Sequence, residues 1–262
     1  MTGFLAALGA ETLKARRSKV PQLAAIGFTL APLMDGLFMF IMKDPERARE
    51  MGLLSTKAQL AMSTAEWATF FSTLTQAITI GGVIVFSLVT AWIFGREFSD
   101  HTAKDLMALP TSRGKIVAAK LIVISVWVLA VSIWLYLIGL LIGYLVDIPG
   151  WTSQLAWRSF SDVLIAAALT LLLMTPVAFI ASMGRGYLPP LGFAVLTIFF
   201  SQIIAATGWG DWFQWSVPAL FSGVIGPRSE QLGIHSYILV FLASIVGLLA
   251  TFWWWRSADQ TK

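Results

Sequence analysis

The chain has 262 residues, 57% of them apolar and 12% charged, with no cysteine and a formal net charge of +4. A soluble domain carries about 25% charged residues; here the apolar residues gather in blocks long enough to cover the roughly 30 Å hydrocarbon core of a bilayer. The missing cysteines exclude disulfides, thiolate metal sites and a cysteine nucleophile, and the basic residues sit at block ends rather than on one soluble face, which excludes nucleic acid as a partner.

The first segment, TGFLAALGAETLKARRSK, sets Phe4, Leu5, Leu8 and Leu13 against Glu11, Lys14, Arg16, Arg17 and Lys19. This pattern predicts an N-terminal amphipathic helix lying in the membrane interface. The next apolar block is too long for a signal-peptide core and lacks a small-residue cleavage pattern, so it is a retained span. Six spans are expected, at about residues 20–42, 70–95, 116–146, 160–183, 187–208 and 235–256.

Within the first span, Asp35 is the one acid well inside an apolar block. Charge at that depth is expensive and marks a functional candidate. Asp35 is expected to line a pathway or contact substrate, or to reach the interface near Gln76 of the second span, since the outer end is on the order of 10 Å away at 1.5 Å per residue. Residues 43–69 are polar with scattered apolar positions and predict a short external helix.

Between spans 2 and 3 runs FGREFSDHTAKDLMALPTSRGKI, residues 94–116, the most charged stretch of its length. On a helix at about 100° per residue, Phe98, Thr102, Leu106 and Leu109 share one arc, and Glu97, Asp100, His101, Lys104 and Asp105 fall opposite. An amphipathic helix lying flat at the membrane surface is expected, stopped by Pro110. Glu97 and His101 have the i, i+4 spacing of a metal pair, but a closed site needs further ligands, and the neighbouring acids face water. No metal site and no catalytic residue is assigned. A docking face for another protein is favoured over a solvated surface.

Further along, Pro176 interrupts the fourth span, where Thr175 is placed to take up the freed carbonyl, and Pro189 and Pro190 begin the fifth. Arg185 is an anchor in a short turn. Residues 209–234 are apolar yet broken by Pro218, Gly223, Gly226 and Pro227. Irregular backbone at membrane depth must be buried in protein or face water, so re-entrant or surface helices are expected between spans 5 and 6. His235 is an interfacial residue by position. Trp92, Trp151, Trp157, Trp209, Trp212, Trp215, Trp253, Trp254 and Trp255 gather near span ends, as interfacial tryptophans do.

Orientation follows from the basic residues. With both termini inside, Lys14, Arg16, Arg17, Lys19, Arg96, Lys104, Arg113, Lys115, Lys120, Arg185, Arg256 and Lys262 lie on the cytoplasmic side. Lys43, Arg47, Arg49, Lys57, Arg158 and Arg228 lie outside. The excess favours cytoplasmic termini.

The string GREFSDHTAKDLMALPTSRGKIVAAKL resembles the signature of ABC-2-type transporter permeases, roughly R-E-[FY]-x-x-x-T-x-K-x-L-x-x-x-P-x-S-R-x-x-I-x-x-A-K. Arg96, Glu97, Phe98, Thr102, Lys104, Leu106, Pro110, Ser112, Arg113, Ile116, Ala119 and Lys120 fill its positions. The six-span plan extends the likeness over the chain. It is greatest for permeases of the bacitracin-resistance and lantibiotic-immunity type, helped by ASMGRGYLPPLGF and WWWRSADQ.

The resemblance implies one all-α polytopic membrane domain over residues 1–262, with a cytoplasmic coupling helix between spans 2 and 3. Glu97, Phe98, Asp100, His101, Thr102, Lys104 and Asp105 would meet a separate ABC ATPase, present in two copies, and Arg113 would brace the helix end. Asp35 and Gln76 are the pathway candidates. The chain has no G-x-x-x-x-G-K-[ST] phosphate cradle, so it would be no enzyme and bind no cofactor; ATP and Mg2+ would belong to the ATPase.

A second permease copy, as homodimer or paralogue, and membrane lipid complete the implied partners. The implied place is the bacterial cytoplasmic membrane, and the implied task is export of an amphipathic substrate such as an antimicrobial peptide, antibiotic or lipid-like molecule. An ion-coupled secondary transporter would show several midplane ionisable groups or paired broken spans, and Asp35 stands alone. A non-transporting immunity or sensor protein stays open.

Overall fold

The structure, a computed structural model, describes residues 2–43, 65–100, 102, 111–224 and 232–257. Helix α1 (Thr2–Arg17) leads into α2 (Lys19–Lys43), the first span. The second span, Trp67–Ser99, is α3 (Trp67–Gln76), a π-helical turn (Ala77–Gly81) and α4 (Gly82–Ser99). The third is α5 (Arg113–Val146). The fourth, Ser153–Met183, is α6 (Ser153–Leu172) and α7 (Met174–Met183). Span 5 is α8 (Leu188–Ala206); a 3-10 turn (Gly210–Trp212) and α9 (Val217–Phe221) precede span 6, α10 (Ile234–Ser257).

Six helices long and apolar enough to cross a membrane are thus present, as expected, and no strand occurs among the described residues. Their bounds follow the hydrophobic blocks closely except in span 4, which begins at Ser153 instead of about 160. Thr152 explains the earlier start: its Oγ1 accepts from Leu155 N–H at 3.2 Å, an N-cap formed before the apolar run begins. The external helix expected over 43–69 falls mostly outside the described residues; Trp67 already belongs to span 2.

Spans 2 and 4 form the centre of the bundle. α4 packs against α2, α5, α7 and α8, and α7 packs most extensively against α10. Lipid tails are as apolar as leucine, so these contacts rest on close packing and interhelical hydrogen bonds rather than on expulsion of water.

Span 4 shows the rule most clearly. Pro176 supplies no N–H to Leu172 O, and Thr175 Oγ1 donates to that carbonyl at 3.0 Å, as its sequence position suggested. The same hydroxyl lies 2.9 Å from Ser244 O of span 6. Gly247 permits the approach, because a Cβ there would stand 2.4 Å from Pro176 N.

The ends of spans 1 and 3 are tied by a cap. Lys43 Nζ donates to Val146 O at 3.0 Å and Asp147 O at 2.9 Å, so the last residue of span 1 satisfies the C-terminal carbonyls of span 3. Beside it, buried Trp67 packs edge-on to Trp151 with ring centroids 4.8 Å apart.

The described part of the broken segment before span 6, up to residue 224, folds inward, and Gly226 and Pro227 lie outside the described residues. Every residue of α9 is buried, and Ser216 Oγ donates to Ser201 O of span 5 at 3.1 Å. Trp215, expected at the interface, is part of this buried wedge. Trp255 departs from the interfacial expectation too: it is fully buried, with Nε1 donating to Ser182 Oγ at 2.9 Å. His235, at the start of span 6, lies 3.0 Å from Asp211 and stacks on Trp212.

Candidate functional site

At the end of span 2 the helix continues through Glu97 and Phe98 to Ser99. Asp100 N–H closes it on Arg96 O at 2.7 Å, and Thr102 N–H reaches Glu97 O at 2.9 Å. Residues 97–99 thus finish a span, and most of the amphipathic helix expected within residues 94–116 lies outside the described residues. His101, Lys104, Asp105 and Pro110 lie outside the described residues.

Glu97 does not face water. Its exposure is 3%, and its carboxylate sits among groups from three elements. Lys14 of α1 donates to Oε1 at 2.8 Å, Lys120 of span 3 donates to the same oxygen at 3.1 Å, and Thr102 Oγ1 donates to Oε2 at 2.8 Å. Glu11 of α1, also buried, completes the group, taking Lys14 at 2.8 Å on Oε1 and Lys120 at 3.0 Å on Oε2.

Lys120 is fully buried and uses its three N–H bonds on Glu11, Glu97 and, at 2.8 Å, Ile93 O. Two acids and two bases cancel, which is the condition for holding charge away from water. Burial opposes charge on Lys14, but hydrogen bonds and charge from Glu11 and Glu97 outweigh it and hold its ammonium above the ordinary lysine range.

This cluster changes one edge of α1, while Leu8 packs on the core and Arg16, Arg17 and Lys19 stay exposed as expected. Glu11 and Lys14 turn inward to spans 2 and 3, whereas Leu5 and Leu13 are 62% and 49% exposed. The result is a helix with a charged inner edge.

Phe98 and Arg113 also turn to structural partners. The Phe98 ring meets Trp255 edge-on at 6.1 Å, and Arg113 Nη1 donates to Trp255 O at 3.3 Å, near the end of span 6. Among the described residues, the helix end that Arg113 braces is that of the last span. Asp100 is exposed and pairs with Arg96 at 3.8 Å, and Thr102 is exposed apart from its bonds to Glu97. The residues grouped as one docking face thus divide: Glu97, Phe98 and Arg113 fasten the helix bundle, and Asp100 and Thr102 remain at its surface.

Between spans 1 and 2, Thr73 Oγ1 donates to Asp35 Oδ2. Gln76, the expected neighbour, instead donates from Nε2 to Ser72 Oγ at 3.3 Å, so the structure does not bring it to Asp35 by a hydrogen bond among the described residues. The partner is one helical turn earlier on the same span.

A cavity of about 490 Å³ opens between spans 2 and 4 and the end of α9, lined by Ser72, Thr75, Arg158, Ser159, Asp162 and Ser222 with apolar neighbours. Ser222, one of its lining residues, shares a hydrogen bond of 2.8 Å with Thr79, joining the π turn of span 2 to the broken segment. Sequence reasoning missed this cavity, and the hydroxyls spaced along span 2 were the signal. It missed the charge cluster as well, although a lysine in VAAKLIV asks for a buried partner.

Residues 7–201 match the family described as ABC-2 family transporter protein. The chain is 27% identical over 192 residues to the bacitracin transport permease protein BCRB of Bacillus licheniformis, covering 73% of this chain and 91% of that relative. The match runs from α1 through most of span 5, and so includes the elements that carry Glu11, Glu97 and Lys120. This multi-pass chain belongs to the ABC-2 family of transporter proteins, as a membrane-spanning subunit of an ABC transporter.

Proposed function

We propose that the chain works as the permease of an ATP-driven exporter, with a separate ABC ATPase docking at the segment between spans 2 and 3. The observation that carries this reading is the charge cluster at the root of that segment. Glu97 ends span 2, Lys120 begins span 3, and Glu11 and Lys14 bind α1 to them. A displacement of the intervening residues would therefore move three elements together. Glu97 acts through posture, and direct contact with the ATPase falls to Asp100, Thr102, His101, Lys104 and Asp105.

Two irregular points give the bundle places to yield: the π turn at residues 77–81 and the break before Pro176. Single π turns recur at functional sites in helices. Both border the outer half, where Asp35 and the polar cavity lie. Two copies of the chain, each with an ATPase, would enclose a pathway in the bacterial cytoplasmic membrane, with both termini inside. The relative named for bacitracin transport supports an amphipathic peptide antibiotic as substrate.

The test is co-purification with a co-expressed ABC ATPase, followed by ATP hydrolysis in vesicles with and without bacitracin. Assembly and a several-fold stimulation are expected, and Glu97→Ala should weaken both. Unchanged assembly and hydrolysis in Glu97→Ala would remove the coupling role. Assembly with hydrolysis but no substrate movement would favour an immunity or sensing role.

A further inference from the structure

α1 has a second face. Leu8, Thr12, Ala15 and Arg16 follow the i, i+4, i+7, i+8 spacing of one helix side, next to the edge that carries Glu11 and Lys14. Together with the start of span 1 and the middle of span 3 they enclose a groove of about 700 Å³, whose walls include Ala25, Val126 and Trp127. That volume lies within the roughly 300–1,000 Å³ of small-molecule sites.

We infer that this groove is a binding site for one anionic glycerophospholipid of the leaflet beside α1, with an acyl chain along span 3 and the headgroup phosphate on Arg16. Three observations fix the occupant. The walls are apolar, which suits a hydrocarbon chain and not a headgroup. Among the described residues Arg16 is the one charged residue lining the groove, and it is exposed, as are Thr12 and Gln22. Glu11 does not neutralise it, because both its carboxylate oxygens are engaged by Lys14 and Lys120.

Position decides the rest. The chain turns at Ser18 from an interfacial helix into a span, so the groove occupies the corner where headgroups meet acyl chains. A guanidinium there offers paired donors to a phosphate, with Arg17 and Lys19 exposed nearby. A zwitterionic headgroup would bring its own cation to the same place. The bound lipid would also wedge the helix whose other edge holds Glu97, so occupancy would steady α1 against spans 2 and 3.

The experiment is native mass spectrometry of the delipidated full chain titrated with phosphatidylglycerol or phosphatidylcholine of matched acyl chains. One phosphatidylglycerol should be retained at about tenfold lower concentration than phosphatidylcholine, and excess inorganic phosphate should not displace it. Arg16→Gln should bring the two lipids within twofold of each other. Ala25→Trp and Val126→Trp, which fill the groove from opposite walls, should each abolish retention.

Equal retention of the two lipids by the unaltered chain would overturn the site, as would wild-type retention in Arg16→Gln or in both tryptophan variants. Displacement by inorganic phosphate would leave a phosphate site without a lipid. No ATPase or substrate enters the measurement, so its failure is separate from any failure of the exporter reading.

Discussion

Lys120 Nζ lies 3.1 Å from Glu97 Oε1, and neither side chain reaches solvent to any useful degree. The pair joins the last turn of span 2 to the second turn of span 3. With Glu11 and Lys14 it forms a neutral group in which each charge is answered. Such a group is costly to break and cheap to replace as a whole.

Lys120→Met should therefore destabilise the chain by about 3–5 kcal/mol, because Glu11 and Glu97 would face Lys14 alone. Thermal unfolding in detergent reads this as a large fall in midpoint. Adding Glu97→Gln to Lys120→Met removes one buried negative charge and should recover more than half of the loss. Absence of recovery would mean that Lys120 matters through packing alone.

The alkaline limb of stability has its own origin. Lys14 is held above its ordinary value of 10.5, so its contribution to docking α1 is complete below about that pH. It declines as pH rises through the higher value in the folded chain. Tryptophan fluorescence or hydrogen exchange along α1 should show release of the helix above pH 10.5. In Lys14→Met the helix should be loosened already at neutral pH, and the alkaline step should shrink.

The spans were legible because bilayer thickness sets the length of an apolar block, and the polar breaks around Pro176 and Pro218 were visible for the same reason. What was not legible was direction. A wheel drawn through residues 97–109 assumes one helix, but the span ends at Ser99, so Glu97 takes its orientation from span 2 and points inward. Glu11 was placed on the wet side of α1 since nothing local announces that Lys120, 109 positions away, lies beneath it. Asp35 stands out in the sequence by the cost of its charge, while its partner depends on the rotation of span 2, which brings Thr73 round instead of Gln76.

That hydrogen bond separates two roles for Asp35. Thr73→Val removes the hydroxyl donor and should cost about 1–3 kcal/mol, with Thr73→Ser near wild type. Asp35→Asn keeps an acceptor for Thr73 and should leave the unfolding midpoint nearly unchanged. If the charge itself serves the proposed pathway, Asp35→Asn should still lower bacitracin-stimulated ATP hydrolysis several-fold. A variant unchanged in both measurements would assign Asp35 no role in transport.

The contact between spans 4 and 6 provides the most selective structural test. Gly247 faces backbone, with a Cβ only 2.4 Å from Pro176 N and 2.6 Å from Thr175 C, so no flexible side chain can move aside. Gly247→Ala should force the helices apart, lengthen the Thr175 to Ser244 bond and cost about 1–3 kcal/mol by overpacking. Gly192, on span 5, has nothing within 4 Å of its Cβ position. Gly192→Ala should be neutral or stabilise by up to about 1 kcal/mol, since alanine is the better helix former. Because the break before Pro176 is a point where the bundle is proposed to yield, Gly247→Ala should lower substrate-stimulated hydrolysis as well as stability. If Gly247→Ala and Gly192→Ala unfold at the same temperature, the close approach of spans 4 and 6 is wrong.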